Sequence, residues 1–394
     1  MSAPQSFEIR IDDDPGRLPV PAWNALLAAS PQPTPFMQLE YLQALHDSGS
    51  AVEQTGWAPR FFSLWDGHAL VAGCPAYLKD HSYGEYVFDW AWAEAYARHG
   101  LAYYPKLLVA VPFTPVPGSR LLARDAESRQ ALILALRRHA AALGLSSAHV
   151  LYPTAQEQQA LVDAGWLARS GVQFHWEAGM QPPASFEAFL ASLQRDKRKK
   201  IQQEQRRVRE AGVRYRVRLG SEISQEDWDF FHRCYRQTYA EHRSTPYLSR
   251  DFFRRMSESM TSHWLLFIAE IDGTPVASSL IALDPLRRVA YGRYWGSLAD
   301  ISCLHFDACY YQPLAWCMAQ GYRRFEGGAQ GEHKLARGLL PVVTSSAHWL
   351  AHPDFHTAVA DYLDRERPAI AGYAQDLREH QPFKRALADE TQAP

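Results

Sequence analysis

Glu332, His333, Lys334 and Arg337 crowd into one short stretch of residues 325–338, FEGGAQGEHKLARG, with Gln330 just upstream. A carboxylate, an imidazole and two cations this close can supply a base, an acid and a clamp for an anion. The glycines among them let backbone approach a ligand or take up positive φ. The same letters also describe a plain polar turn after a strand. The preceding residues 291–311, YGRYWGSLADISCLHFDACYY, tip the balance, because Arg293, Tyr294, Trp295 and His305 are interleaved there with apolar residues. A solvated turn needs no such neighbour.

Two other segments carry unusual chemistry. Residues 81–118, HSYGEYVFDWAWAEAYARHGLAYYPKLLVAVPFTPVPG, are dense in Tyr, Trp and Pro and place Glu85, Tyr86, Asp89, Tyr104, Lys106 and Thr114 among apolar side chains. Residues 195–218 hold eleven Lys or Arg against three acids. On a helix, Arg195, Lys199, Arg206 and Arg209 share a face away from the apolar stripe, either as a solvated surface or as a track for phosphates.

The elements that must position these groups can be read from periodicity. At 394 residues the chain has room for two domains, and its 41 basic and 43 acidic side chains nearly cancel, so an anionic partner requires a local patch. The start, MSAPQSFEIRIDDDPG, does not read as a signal peptide, and no run of eighteen apolar residues suggests a membrane span. Five cysteines without framework spacing suit a reducing, cytoplasmic setting. Thr34 and Pro35 are expected to open a helix that ends near Gly49. Residues 355–367 are expected to form an amphipathic helix stopped by Pro368.

The chain also repeats itself. The hairpin around Asp66-Gly67, a helix over 128–143 and a strand over 148–152 are mirrored by the hairpin around Asp272-Gly273, a helix over 306–320 and a strand beginning near Gly321. Two copies of one β-β-helix-strand unit follow, the first carrying residues 81–118 as an insertion. Side by side they would leave a cleft for ligands.

This repeated unit, the basic run KRKKIQQEQRRVREAGV and the run YGRYWGS…LHFDACYYQPLAWCMAQGYRRFEGGAQGEHK together resemble the FemAB-like branch of the GNAT acyltransferase superfamily. The block HSYGEYVFD…YYPKL…AVPFTPV is similar, more closely, to a bacterial family of peptidoglycan biosynthesis/recognition proteins. The resemblance runs from about Pro35 to Arg367. It implies an α+β fold of two tandem GNAT-like domains with mixed sheets, expected here over 1–180 and 221–394 with a basic helical linker over 181–220. It further implies transfer of an aminoacyl group from aminoacyl-tRNA to an amine of a small or peptide-like acceptor, with no cofactor. One departure bears on the donor. Acyl-CoA-dependent relatives cradle pyrophosphate on an Arg/Gln-x-x-Gly-x-Gly/Ala loop before a helix, and neither half has a clean copy.

Within the matched blocks, Glu332 or His333 is the candidate base, Lys334, Arg337 or Arg293 the candidate charge stabiliser, and Tyr104 or Tyr294 the candidate acid. Glu85, Tyr86, Asp89, Lys106, Thr114, Trp295, His305 and Gln330 are candidate substrate contacts. Cys303, His305 and Cys309 lack a strong metal-ligand pattern, and no cysteine sits in a nucleophile turn. Nucleotide-hydrolase, dehydrogenase and serine-hydrolase fingerprints are missing too. An acyl-CoA-dependent N-acyltransferase and a non-catalytic recognition protein for peptidoglycan fragments remain the alternatives.

Overall fold

The computed structural model describes residues 7–328 and 331–384. They divide into two units. Strands β1 (Glu8–Asp12), β2 (Trp57–Pro59), β3 (Phe61–Asp66), β4 (Ala69–Cys74), β5 (Ala76–Lys79), β6 (Lys106–Val109), β7 (Leu122–Ala123) and β8 (Ser147–Leu151) belong to the first. β9 (Leu167–Glu177) leads into the second, which holds β10 (Val213–Leu219), β11 (Trp264–Ile271), β12 (Thr274–Asp284), β13 (Val289–Ser297) and β14 (Arg324–Glu326). β15 (Leu340–Leu350) leads back to the first unit.

The first unit contains a four-stranded sheet of order β1-β3-β4-β7 and a second group of order β15-β8-β6-β5-β2. β6 and β8 are parallel, and the chain crosses between them through the helix Ala126–Ala142. That crossover is the usual way to join parallel neighbours. Leu132, Leu136 and Ala140 of the helix bury against Phe62, Leu64, Val71, Leu107 and Val150. Asp125 caps the helix by accepting from the Ser128 N–H.

The second unit repeats the scheme. Its strands run β10-β11-β12-β13-β14-β9, with β13 and β14 parallel and joined through a helix that is α over Leu304–Phe306, π over Asp307–Tyr311 and α again over Gln312–Ala319. Phe267, Ile281, Ala290, Leu314 and Phe325 form its core with Phe186, Phe189 and Leu190. Both Asp-Gly hairpins are present, and each has a register break on its return strand, opposite Leu64/Trp65 and opposite Ala269/Glu270. The duplication is therefore structural down to a bulge.

Three boundaries differ from those expected. Residues 181–220 are not a linker: Phe186, Phe189, Leu190 and Ile201 are buried in the second core, and 343–371 return to the first unit. Thr34 makes no side-chain cap; a 3-10 turn, Pro35–Met37, precedes the helix Leu39–Asp47. Pro368 does not stop the last helix, which runs Pro353–Glu379. Val359 and Leu363 are buried before the proline and Ala374 and Leu377 after it, and that packing outweighs a lost hydrogen bond worth about 3 kcal/mol in a helix interior.

Gly296 on β13 lies against the helix Gln225–Glu241, where an added Cβ would overlap the Cys234 carbonyl. Gly296→Ala should therefore destabilise the protein by about 2–4 kcal/mol in urea denaturation. Gly372, in the last helix with open space around it, is the contrast. Gly372→Ala should raise stability by up to about 1 kcal/mol.

Candidate active site

β13 and β14 pair only over Val289–Tyr291 and Arg324–Glu326, and beyond that they part. β13 continues along β12 with a break in register: Leu280 faces Tyr294 and Ile281 faces Gly292, so Arg293 is the extra residue of a β-bulge. The chain leaving β14 turns away through Gly327 and Gly328. A Cβ on Gly327 would come within 2.6 Å of the Leu339 side chain and 3.2 Å of Lys334. Only a glycine lets the chain turn there with Lys334 tucked beneath it.

The parted strands leave a cavity of about 130 Å³. β12 contributes Ser279, β13 contributes Gly292, Arg293, Tyr294 and Trp295, and Gly327 closes the end beyond β14. The remaining wall is the crossover helix, which presents His305 from its first α turn and Cys309 and Tyr310 from the π turn. A π turn widens the helix by one residue and is often found at functional sites. Of the residues singled out in the sequence, Arg293, Tyr294, Trp295 and His305 thus meet in one place.

The charged loop forms a 3-10 helix, Glu332–Arg337, beside this wall. The Tyr310 hydroxyl lies 3.2 Å from His333 Nε2, and the His333 ring also packs on Phe306. Loss of solvent, then the nearby Arg337 and Lys334, hold the His333 pKa below that of an ordinary imidazole. Packing and the same cations, with His333, press His305 down to about 4. Lys334 is buried and donates to the Gly328 carbonyl at 3.0 Å, and burial brings its ammonium down to about 8. Burial pushes the Cys309 thiol up to about 12, which removes it as a thiolate nucleophile at neutral pH. Tyr310 is raised as well, so its phenol keeps its proton.

Two loop residues do other work than expected. Arg337 is buried, donates to both carboxylate oxygens of Glu204 at 3.1 Å and to the His333 carbonyl at 2.7 Å, and lies 3.5 Å from the Phe306 ring centre. Glu204 also accepts from the Tyr311 hydroxyl. Arg337 is therefore an anchor for the loop. Glu332 is exposed and accepts from Tyr373 at 2.7 Å, and it is not among the residues that line the cavity. Gln330 lies outside the described residues.

The remaining candidates belong to the first unit. Lys106 is fully buried and bonds Ser82, Glu85 and Asp89. Asp89 accepts from Tyr103, which stands 3.2 Å from His149, whose other ring nitrogen is 2.7 Å from His348. Tyr104 pairs with Ser82 at 2.8 Å. Thr114 bonds the Pro112 carbonyl and Tyr41, and the Tyr86 carbonyl accepts from Tyr152. Thr114 and Tyr86 thus hold the local fold.

The basic helix, Arg195–Glu210, buries Ile201, Glu204 and Val208 and exposes Arg195, Lys199, Arg206 and Arg209 on its other side. Among the described residues Arg195 and Lys199 form no ion pair, and Arg206 has only a 3.6 Å partner in Glu210. The basic run continues into β10, but there Arg216 is tied to Asp227 and Glu270.

Sequence reasoning missed Ser279 and Tyr310 as cavity residues, and Glu204, Tyr103, His149 and His348 as partners. Tyr310 sat inside the aromatic run already noted, but nothing local distinguishes it from a core tyrosine. Among the described residues no group of three His, Cys, Asp or Glu could hold a metal ion, and no helix is long and apolar enough to cross a membrane.

A family model, FemAB-like, described as peptidoglycan biosynthesis/recognition, matches residues 16–385. No functionally curated protein matches. Among solved structures, FemX superposes with a TM-score of 0.55 at 10% identity, covering 90% of this chain and 100% of FemX. L-PGS from Bacillus licheniformis also gives 0.55, at 13% identity, covering 90% and 99%. At such identities the likeness is one of fold, and it agrees with the tandem GNAT-like architecture read from the sequence.

The Arg337–Glu204 pair gives a direct test of how the loop is held. Arg337→Met strands a buried carboxylate and should cost about 3–5 kcal/mol in urea denaturation. The double variant Arg337→Met with Glu204→Leu should recover most of that loss.

Proposed function

The chain belongs to the FemAB-like family of peptidoglycan biosynthesis/recognition proteins, and we propose that it is a transferase moving an aminoacyl group from aminoacyl-tRNA onto a small amine or peptide-like acceptor. The observation that carries this reading is the cavity between β13 and β14, with a bulged Arg293 on one wall and on the other Tyr310, whose hydroxyl pairs with His333 behind it.

The reaction is a direct attack. The amine nitrogen adds to the ester carbonyl carbon, a C–N bond forms and the bond from that carbon to the ribose oxygen breaks. One proton leaves the amine and one reaches the ribose oxygen. His333, kept neutral, takes the amine proton through Tyr310: the Tyr310 oxygen receives it while the phenol's own proton passes to Nε2. Arg293 and the backbone at its bulge face the developing oxyanion. The Lys334 ammonium, with a pKa near 8, is matched to protonating the leaving oxygen. No acyl-enzyme is required, in keeping with the high pKa of Cys309.

Two features favour tRNA over coenzyme A as the carrier. The segment before the π-containing helix, residues 298–303, has no glycine, and Cys303 caps that helix without a side-chain hydrogen bond. This is a poor cradle for pyrophosphate. The exposed cations of the basic helix, by contrast, suit a polynucleotide backbone.

The test is transfer of label from a tRNA pool charged with radiolabelled amino acids, run beside labelled acetyl-CoA, with cell extract as acceptor source. Label should move from tRNA, and Tyr310→Phe should slow it about 100-fold. Lys199→Ala should weaken tRNA binding and reduce its logarithmic salt slope by about one. The pH dependence has a definite sign. Lys334 acts while protonated, so the rate should hold below its pKa and fall as pH rises through about 8, and Lys334→Arg should remove that limb. Transfer from acetyl-CoA alone would replace the donor, and transfer from neither would favour a recognition protein.

A further inference from the structure

The buried network of the first unit is one cation short. Lys106 Nζ spends its three N–H groups on Ser82 Oγ at 2.7 Å, Glu85 Oε2 at 2.8 Å and Asp89 Oδ2. The other carboxylate oxygens, Glu85 Oε1 and Asp89 Oδ1, are buried without a hydrogen-bond partner. The two side chains are only 2% and 4% exposed. Such oxygens are costly to bury unless a donor belongs there. Burial holds His149 and His348 far below the ordinary imidazole pKa, so they bring no charge. Lys79 is engaged by the Gly56 carbonyl, His81 and the face of Trp57, and Arg169 by Glu366 and the Phe88 carbonyl, rather than by either carboxylate.

We propose that Glu85 and Asp89 form a binding site for the ammonium group of an amine ligand. An ammonium supplies both the missing charge and the N–H donors that the two free oxygens lack. Both carboxylates hang from residues 80–89, which form neither helix nor strand, and the same segment exposes Tyr83 and Phe88 toward solvent. Those rings can lie along the apolar body of a ligand whose ammonium enters beneath them. Burial, opposed by Lys106 and, more weakly, by Lys79, and helped by Asp89, sets the Glu85 pKa at about 7. An empty site therefore keeps a proton on Glu85 part of the time, and an arriving ammonium displaces it.

The site needs no acyl donor, so its test is separate from that of the transferase reading. Calorimetric titration of the full chain at pH 7 would compare Nα-acetyl-lysine methylamide, which has a single ammonium, with its neutral Nε-acetylated counterpart. The ammonium probe should bind at least tenfold more tightly. Its heat should differ between phosphate and Tris buffers, because about half a proton leaves Glu85. Glu85→Gln should weaken the probe at least tenfold and abolish the buffer difference, with the melting temperature reporting that the variant is folded. Equal binding of the two probes, binding of neither, or binding unchanged in folded Glu85→Gln would overturn the proposal. The first two outcomes need no variant.

Discussion

Two parallel strands that pair for three residues and then separate set the terms for the second unit. Parallel neighbours need a crossover, so the helix between β13 and β14 packs over the place where they part. Because the strands separate, that helix meets an opening rather than a continuous sheet, and its π turn lies where Cys309 and Tyr310 line the opening. Arg293 reaches the same opening because the β12–β13 ladder slips by one residue. The strand divergence and the ladder slip together place the polar groups of the cavity.

The basic helix and the charged loop are held together by the same logic. Ile201 and Val208 fix which face of the helix is buried, and Glu204 falls between them on that face. A lone carboxylate there would be costly, but Arg337 and Tyr311 satisfy it. The residues that look most catalytic by composition are thus divided. Arg337 spends its charge on anchoring, which fixes the main chain at His333 through a carbonyl contact, while Lys334 stays an ammonium and His333 a neutral imidazole beside the cavity. The exposed cations are oriented by that anchor as well, because they share a rigid helix with Glu204.

The sequence revealed what is periodic or locally encoded. Both Asp-Gly hairpins, both crossover helices and the strand before the glycine turn lie where apolar spacing and turn residues put them. The cluster of Arg293, Tyr294, Trp295 and His305 was legible because it is nearly contiguous. Partnerships across long separations were not: Glu204 lies 133 residues from Arg337, and His149 lies 199 from His348. Pro368 misled for a related reason, since a local rule about helix ends was overruled by packing on both sides of it.

The two copies of the repeated unit differ where their parallel strands end. β6 and β8 pair in parallel over three residues, as β13 and β14 do. In the first unit, however, the chain beyond β6 does not leave the strand ends open. Val111, Phe113 and Val116 are buried, Arg120 holds the Val116 and Gly118 carbonyls, and the Gly118 N–H donates to the Tyr152 carbonyl just past β8. The proline-rich end of the first copy's insertion thus closes the place where the second copy keeps glycine. Its other end folds Glu85 and Asp89 over Lys106. The same β-helix-β frame therefore carries a cavity with Arg293 on its wall in the second copy and a buried network of carboxylates around Lys106 in the first.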